Sequence, residues 1–287
     1  MITVTGANGH LGRLVIASLL KRVPANQIVA AVRTPSKAAD LSALGVQVRE
    51  ADYGKPATLA KAFEGTTNLL FISSPGYDND VRIAEHKAVV DAAKAAGVQL
   101  VAYTSALRAD TSALIVTHGH LVTEQYLAAS GIPWVFLRHP SYVENYTGSL
   151  AAALEHGVIA GAAGNGRNSA VLRADLAEAA AVVLTTPGQA GKIYELGADV
   201  PFTMAEFAAE VSKQSGKKVT YNSLPQKDYQ AMLEGFGLPA KLALLLADSD
   251  AKNATDEELY TPSHDLSVLI GRPTTPLAAA VAAGLPR

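Results

Sequence analysis

Apolar residues along the first half of the chain alternate between two spacings. ITVT (2–5) is a short β-branched run and predicts a buried strand. LGRLVIASLLKRV (11–23) follows with apolar positions at helical spacing. The same exchange repeats along the chain. QIVAAVR (27–33), VQVREADY (46–53), NLLFISS (68–74), QLVAYTS (99–105) and PWVFLR (133–138) predict five more strands. A short helix precedes the third of these six strands. VRIAEHKAVVDAAKAAG (81–97) predicts a helix stopped by Gly97, and HLVTEQYLAASG (120–131) one stopped by Gly131. Strands separated by helices mean βαβ units, a parallel sheet and right-handed crossovers.

After Arg138 the rhythm breaks. HPSYVENYTGSL (139–150) and GVIAGAAGNGRNSAV (157–171) read as irregular and glycine-rich. RADLAEAAAVVL (173–184) predicts a helix, KIYELG (192–197) a strand, and TMAEFAAEVSKQSG (203–216) a helix. Thr203 and Glu206 carry its capping-box signature. KKVTYNSL (217–224) allows a strand, and the last 60 or so residues read as helices with loops. The expected fold class is α/β: a doubly wound parallel sheet of dinucleotide-binding type over 1–139, to which the chain returns at about 173–197. A smaller α/β lobe takes 140–172 and 198–287.

Composition narrows the function classes. Of 287 residues, 49% are hydrophobic, enough for a sizeable core. The net charge of −2 implies no basic surface for nucleic acid. Cysteine is absent, which removes disulfides, thiolate metal sites and cysteine nucleophiles. MITVTGANGHLG lacks the parts of a signal peptide, and no apolar run reaches the roughly 20 residues of a membrane span. The expectation is a cytoplasmic protein.

TGANGHLG (5–12) carries Gly6, Gly9 and Gly12 directly between the first strand and helix. Glycines there permit a tight turn and close approach of backbone to pyrophosphate. The helix N-terminus offers free N–H groups to the phosphate charge. The spacing is G-x-x-G-x-x-G, and a glycine turn in an unrelated α/β fold is the plainer alternative. Where an NAD site places an acidic residue after the second strand, this chain has Arg33, with Lys37 four residues on. A guanidinium matches a 2′-phosphate bidentately, so the pattern favours NADPH over NADH. The alternative is a solvated surface arginine. Asp52 and Tyr53, after the third strand, are candidates to border the adenine. Ser73, Ser74 and Pro75, after the fourth, are candidates to pass under the pyrophosphate and nicotinamide ribose.

These motifs, with AYTS (102–105), HLVTE (120–124), VPANQIVAAVR (23–33), DAAKAAGV (91–98), ALEHGVIAGAAGNG (153–166) and KQSGKKVTY (213–221), resemble one family. It is the NmrA-type atypical short-chain dehydrogenases/reductases, and within it the bacterial NADPH:quinone oxidoreductases, close in pattern to triphenylmethane dye reductases. The resemblance implies a Rossmann sheet of order 3-2-1-4-5-6 or its extension, NADPH as cofactor, and a C-terminal lobe closing a cleft for a small planar acceptor such as a quinone. No separate flavin site is legible, so direct hydride transfer without flavin or metal is expected, and a homodimer stays open. Cofactor contacts carried over by position fall on Gly6, Asn8, Gly9, His10, Leu11, Gly12, Arg33, Ser73, Ser74, Pro75, His139 and Tyr142. Acceptor contacts fall on Tyr77, His139, Tyr142, Asn145 and Tyr146. Relatives carry Asn just after the arginine, where this chain has His139 and Pro140.

HGHLVTE (118–124) is the segment with chemistry to explain. The wider superfamily uses Tyr-x-x-x-Lys at the start of this helix, and no tyrosine here is followed four residues later by lysine. His120 and Glu124 stand in that place. Two histidines and a glutamate are a metal-site pattern, but residues two apart on a helix diverge. His120 as proton donor is a second reading. A third has His118 or His120 packing at the cleft wall and Glu124 facing ribose or solvent. Loss of the dyad does not forbid reduction. Alcohol oxidation needs a base, whereas a reduced quinone leaves a phenolate-like anion of pKa about 10 that water protonates. The chain must chiefly bind, orient and exclude water, with Tyr142 and His120 as candidate catalytic side chains. Two other activities fit the same residues: reduction of other planar acceptors, and cofactor sensing without turnover.

Arg33→Ala is expected to weaken NADPH binding far more than NADH binding in parallel titrations. Equal losses would refute a 2′-phosphate role.

Overall fold

Ile2–Thr5 (β1) and Ile28–Val32 (β2) are buried at every position, as strands covered on both faces must be. In this computed structural model, which describes residues 1–286, four further strands join them. They are Gln47–Glu50 (β3), Asn68–Phe71 (β4), Leu100–Ala106 (β5) and Trp134–His139 (β6). All pair in parallel, in the order 3-2-1-4-5-6. Val158–Gly161 (β7), Lys192–Glu195 (β8) and Thr220–Ser223 (β9) follow. β8 extends the main sheet beside β6, and β7 pairs in parallel with β9 in a separate two-stranded sheet. β1 has β2 on one side and β4 on the other, so the crossovers leave it in opposite directions. That is where a doubly wound sheet opens a crevice at its carboxyl edge.

Two compact units result. One comprises residues 1–109, 118–139 and 173–194, the other 110–117, 140–172 and 195–287. The core of the first is built on Phe63, Phe71, Tyr103, Leu127 and Phe136. The core of the second is built on Phe202, Phe207, Val211, Val219 and Val281. Its helix Met204–Ser215 has the expected start and stop. Thr203 accepts from the Glu206 N–H, Glu206 accepts from the Thr203 N–H at 2.7 Å, and Gly216 closes it at φ 70°.

Two segments differ from the sequence expectation. The stretch read as irregular holds the helices Val143–Thr147 and Leu150–His156 and strand β7. VIAG is only four residues long and ends in Ala and Gly, so its β-branched start alone does not announce a strand; its register with β9, Ile159 opposite Tyr221, completes it. The helix expected from His120 begins at Thr117 and runs to Ala129. His118 is therefore helical and exposed, not part of a preceding loop.

The first crossover sets the tightest constraint. A Cβ at Gly12 would lie 2.5 Å from the Gly6 carbonyl oxygen and 2.6 Å from Ala7 Cα, both backbone. Only glycine lets the helix His10–Leu19 start this close to the loop. Gly12→Ala is expected to lower unfolding free energy by about 1–3 kcal/mol in urea titration. A change within about 0.5 kcal/mol would contradict the close approach.

Candidate functional site

Gly6 takes φ 57°, and its carbonyl accepts from Gly9 N–H at 2.9 Å, so the chain folds sharply back over the end of β1. Gly9 caps the helix His10–Leu19 without a side-chain hydrogen bond, and the first turn holds no acidic residue. The N–H groups of that terminus are left for an anion. Behind the loop stands Arg13, which the sequence reading did not single out. Its guanidinium bonds the Asn8 side chain and carbonyl, pairs with Asp40, and reaches the Lys37 carbonyl at 3.4 Å. It thereby ties the glycine loop to the segment after β2. Arg33, at the start of that segment, is exposed and makes no ion pair or hydrogen bond among the described residues. Lys37 is exposed as well. A free helix N-terminus and an unpaired guanidinium at one edge of the sheet fit the pyrophosphate and the 2′-phosphate of NADPH.

The other cofactor candidates are held by side chains. The Asp52 carboxylate closes its own turn, accepting from Gly54 N–H at 3.1 Å with Lys55 at 3.6 Å. Tyr53 donates to the Ile72 carbonyl at 2.7 Å and lies 2.5 Å from Thr5 Oγ1, cross-linking the ends of β1 and β4. Burial pushes its phenol upward. Ser73 N–H donates to Thr104 Oγ1 at 2.9 Å, and Ser74 N–H to His86 Nε2 at 2.9 Å. Pro75 and Tyr77 are exposed.

His120 lies behind that segment, buried. Arg82 lies 2.9 Å from its Nε2, and an arginine can only donate. His120 is therefore the Nδ1–H tautomer and donates to the Tyr103 hydroxyl at 2.8 Å. By the same rule Ser74 fixes His86, whose Nδ1–H donates to Thr123 Oγ1 at 2.8 Å. Thr123 donates in turn to the Gly119 carbonyl at 2.7 Å. Desolvation, reinforced by the Arg82 charge, holds His86 down to about 3 and His120 well below its usual range. Both ring nitrogens of His120 are occupied, and its one N–H is engaged by the buried Tyr103 hydroxyl.

Glu124 faces neither ribose nor solvent. It is buried and takes the Arg138 guanidinium bidentately, at 3.0 and 2.7 Å. One helix turn after His120, its carboxylate compensates the Arg138 charge near the end of β6. Among the described residues no three His, Asp or Glu side chains converge as metal ligands.

His139 ends β6, buried, and desolvation lowers it to about 3. In the second unit, Tyr142 is half-buried and forms an isolated bridge with Val171. Asn145 is exposed. Tyr146 packs among Phe202 and Phe207, and its hydroxyl accepts from Asn168 Nδ2 at 2.6 Å. Burial, with the Asp250 carboxylate nearby, pushes its phenol up to about 12.

The fold and the glycine-loop geometry define a dinucleotide-binding reductase scaffold. The NmrA-like family model matches residues 1–265, and the chain belongs to that family. It is 52% identical over 281 residues to quinone oxidoreductase 2 of Escherichia coli strain K12, covering 98% of this chain and 97% of the relative. The crystal structure of that organism's NADPH-dependent quinone oxidoreductase with NADPH superposes at TM-score 0.95, with 51% identity and 99% of each chain covered. The Citrobacter sp. triphenylmethane reductase complexed with NADP(H) superposes at TM-score 0.95. It is 42% identical, with 99% of this chain and 100% of that one covered.

Arg82, His86, Tyr103 and Thr123 escaped the sequence reading because their partners lie 37 or 38 positions away across a helix pair, or 17 between helix and strand. The available signal was a histidine and an arginine in VRIAEHKAVV at positions where an amphipathic helix presents its core face, and both prove buried.

The three buried histidines set a pH dependence of stability. The unfolded chain takes up their protons near pH 6.5, the folded chain near 3 at His86 and His139 and well below the usual range at His120, so the fold loses stability as pH falls below 6.5. Each contributes a slope of up to about 1.4 kcal/mol per pH unit. Asp250 acts in the opposite sense. Burial pushes it up to about 6, so the folded state gains its proton first as pH falls. With three groups against one, the urea midpoint is expected to drop clearly from pH 7.5 to 5.5. An unchanged midpoint would contradict buried neutral imidazoles.

Proposed function

We propose that this chain reduces quinones with NADPH by direct hydride transfer, without flavin or metal. The observation that carries the reading is an uncapped helix terminus beside the unpaired Arg33, in a chain 52% identical end to end to a quinone oxidoreductase. NADPH, when bound, supplies the hydride. The residues 6–12 hold the pyrophosphate, and Arg33 with Lys37 holds the 2′-phosphate. Ser73, Ser74 and Pro75 lie along the nicotinamide half, with His139 and Tyr142 completing the cofactor contacts. Tyr77, Asn145 and Tyr142 are the side chains offered to a planar acceptor. Tyr146 supports the same unit from within its apolar cluster, its hydroxyl already engaged by Asn168.

The chain's chemical task is limited. The one N–H of His120 is engaged by Tyr103 and the Tyr-x-x-x-Lys dyad is absent, so water protonates the hydroquinone anion. Binding and orientation remain as the protein's contribution. The 42% likeness to the triphenylmethane reductase favours cationic dyes as a second acceptor class. No helix among the described residues is long and apolar enough to cross a membrane, and a cytoplasmic location belongs to the same proposal.

The test follows absorbance at the NADPH band with flavin-free protein and a panel of simple quinones, with NADH in parallel and a triphenylmethane dye as competitor. Consumption with NADPH, little with NADH and no need for flavin is expected. Tight NADPH binding with no acceptor consumed would identify a cofactor sensor instead. Faster turnover of dye than of any quinone would favour the second acceptor class.

A further inference from the structure

The segment between β4 and the helix Asn79–Ala95 has no regular structure, yet it is not loose. Ser73 N–H is held by Thr104, Ser74 N–H by His86 Nε2, and the Gly76 carbonyl accepts from Arg82 at 2.6 Å. Two of these three holds come from one helix face, four residues apart, where side chains align. We propose that His86 and Arg82 are positioning residues: they clamp 73–76 at two backbone atoms and so set the geometry in which Ser73, Ser74 and Pro75 meet the nicotinamide half of the cofactor. This rests on the NADPH reading above.

Arg82 is the stronger argument. It is 7% exposed, its hydrogen-bond partners are the neutral His120 ring and one carbonyl, and its Nε has no partner among the described residues. A buried guanidinium facing neutral acceptors costs stability that an apolar side chain of the same size would not. Its arrangement is accounted for by the carbonyl it holds. The neighbouring helix confines it: a Cβ at Gly119 would lie 3.2 Å from Arg82 Cδ and 2.8 Å from Asn79 Oδ1. His86 is 1% exposed and has a single tautomer, because Ser74 N–H occupies one nitrogen and Thr123 the other. The clamp therefore has one hydrogen-bonded state.

The experiment compares two ligands by calorimetry on the full chain. NADPH spans the whole cofactor site, while 2′,5′-ADP occupies only the phosphate loop and the Arg33 end. His86→Leu and Arg82→Met are expected to weaken NADPH binding about three- to tenfold each, the range of one lost hydrogen bond. They are expected to leave 2′,5′-ADP within about twofold. His86→Gln keeps an acceptor for Ser74 and a donor for Thr123, and is expected to restore most of the NADPH affinity. Should the leucine variant not fold, Arg82→Lys reads the same contrast, because it keeps the charge and loses the fork. Parallel losses for both ligands would mean a purely structural role and overturn the proposal, as would unchanged NADPH affinity. Wild-type protein that binds neither ligand would overturn the NADPH reading itself, a result separable from failure of the clamp.

Discussion

The contact that everything else in the first unit depends on is the one at Gly12. The helix His10–Leu19 starts so near the Gly6 carbonyl and Ala7 that no side chain fits between them. That approach turns the helix terminus onto the end of β1. The chain can then run back to β2 on one side and, by way of β3, to β4 on the other. From it follow the free N–H groups of the helix turn after Gly9 and the carboxyl edge at which Arg33, Ser73 and His139 emerge. The family assignment names this scaffold, and its physical content is a backbone contact closer than a Cβ would allow.

Behind the carboxyl edge the core is polar, for a plain reason. Strands end there, their hydrogen-bonding ladders stop, and the last backbone groups need partners. Thr5, Tyr53, Thr104 and His86 supply them with side chains from other elements. Arg138 and Glu124 neutralise each other in the same layer. Among the described residues Arg82 makes no ion pair with a carboxylate and is hydrogen-bonded to His120 and a carbonyl instead. The helix that in the wider superfamily carries the acid–base dyad is thus occupied here by residues that hold other residues. Reduction of a quinone is compatible with that arrangement, because its product anion needs no protein acid.

Legibility in the sequence followed the range of the interactions. The first six strands of the seven-stranded main sheet and the glycine turn were readable from runs of four to eight residues, because apolar β-branched runs and glycine at positive φ leave local marks. The capping box at Thr203 was readable for the same reason. β7 was not, since its partner β9 lies about 60 residues on and VIAG carries no alternation. The role of HGHLVTE was the least legible. Spacing put His120 and Glu124 on one face, but could not say that Arg82 and Arg138 would meet them there. Buried charge pairs between distant segments have no local signature, and reading Glu124 as facing ribose or solvent failed on that account. Arg13 had no local mark, because Asn8 and Asp40, its partners, meet it only when the loop folds.

A single pair of titrations tests the central claim, that this unit is a preformed site for NADPH. Flavin-free protein is titrated with NADPH and with NADH by calorimetry at one ionic strength. The account predicts saturable one-site binding of NADPH at least about tenfold tighter than NADH, a difference of about 1.4 kcal/mol for the 2′-phosphate contact. Equal affinities, or tighter binding of NADH, would contradict it and leave Arg33 as a surface residue.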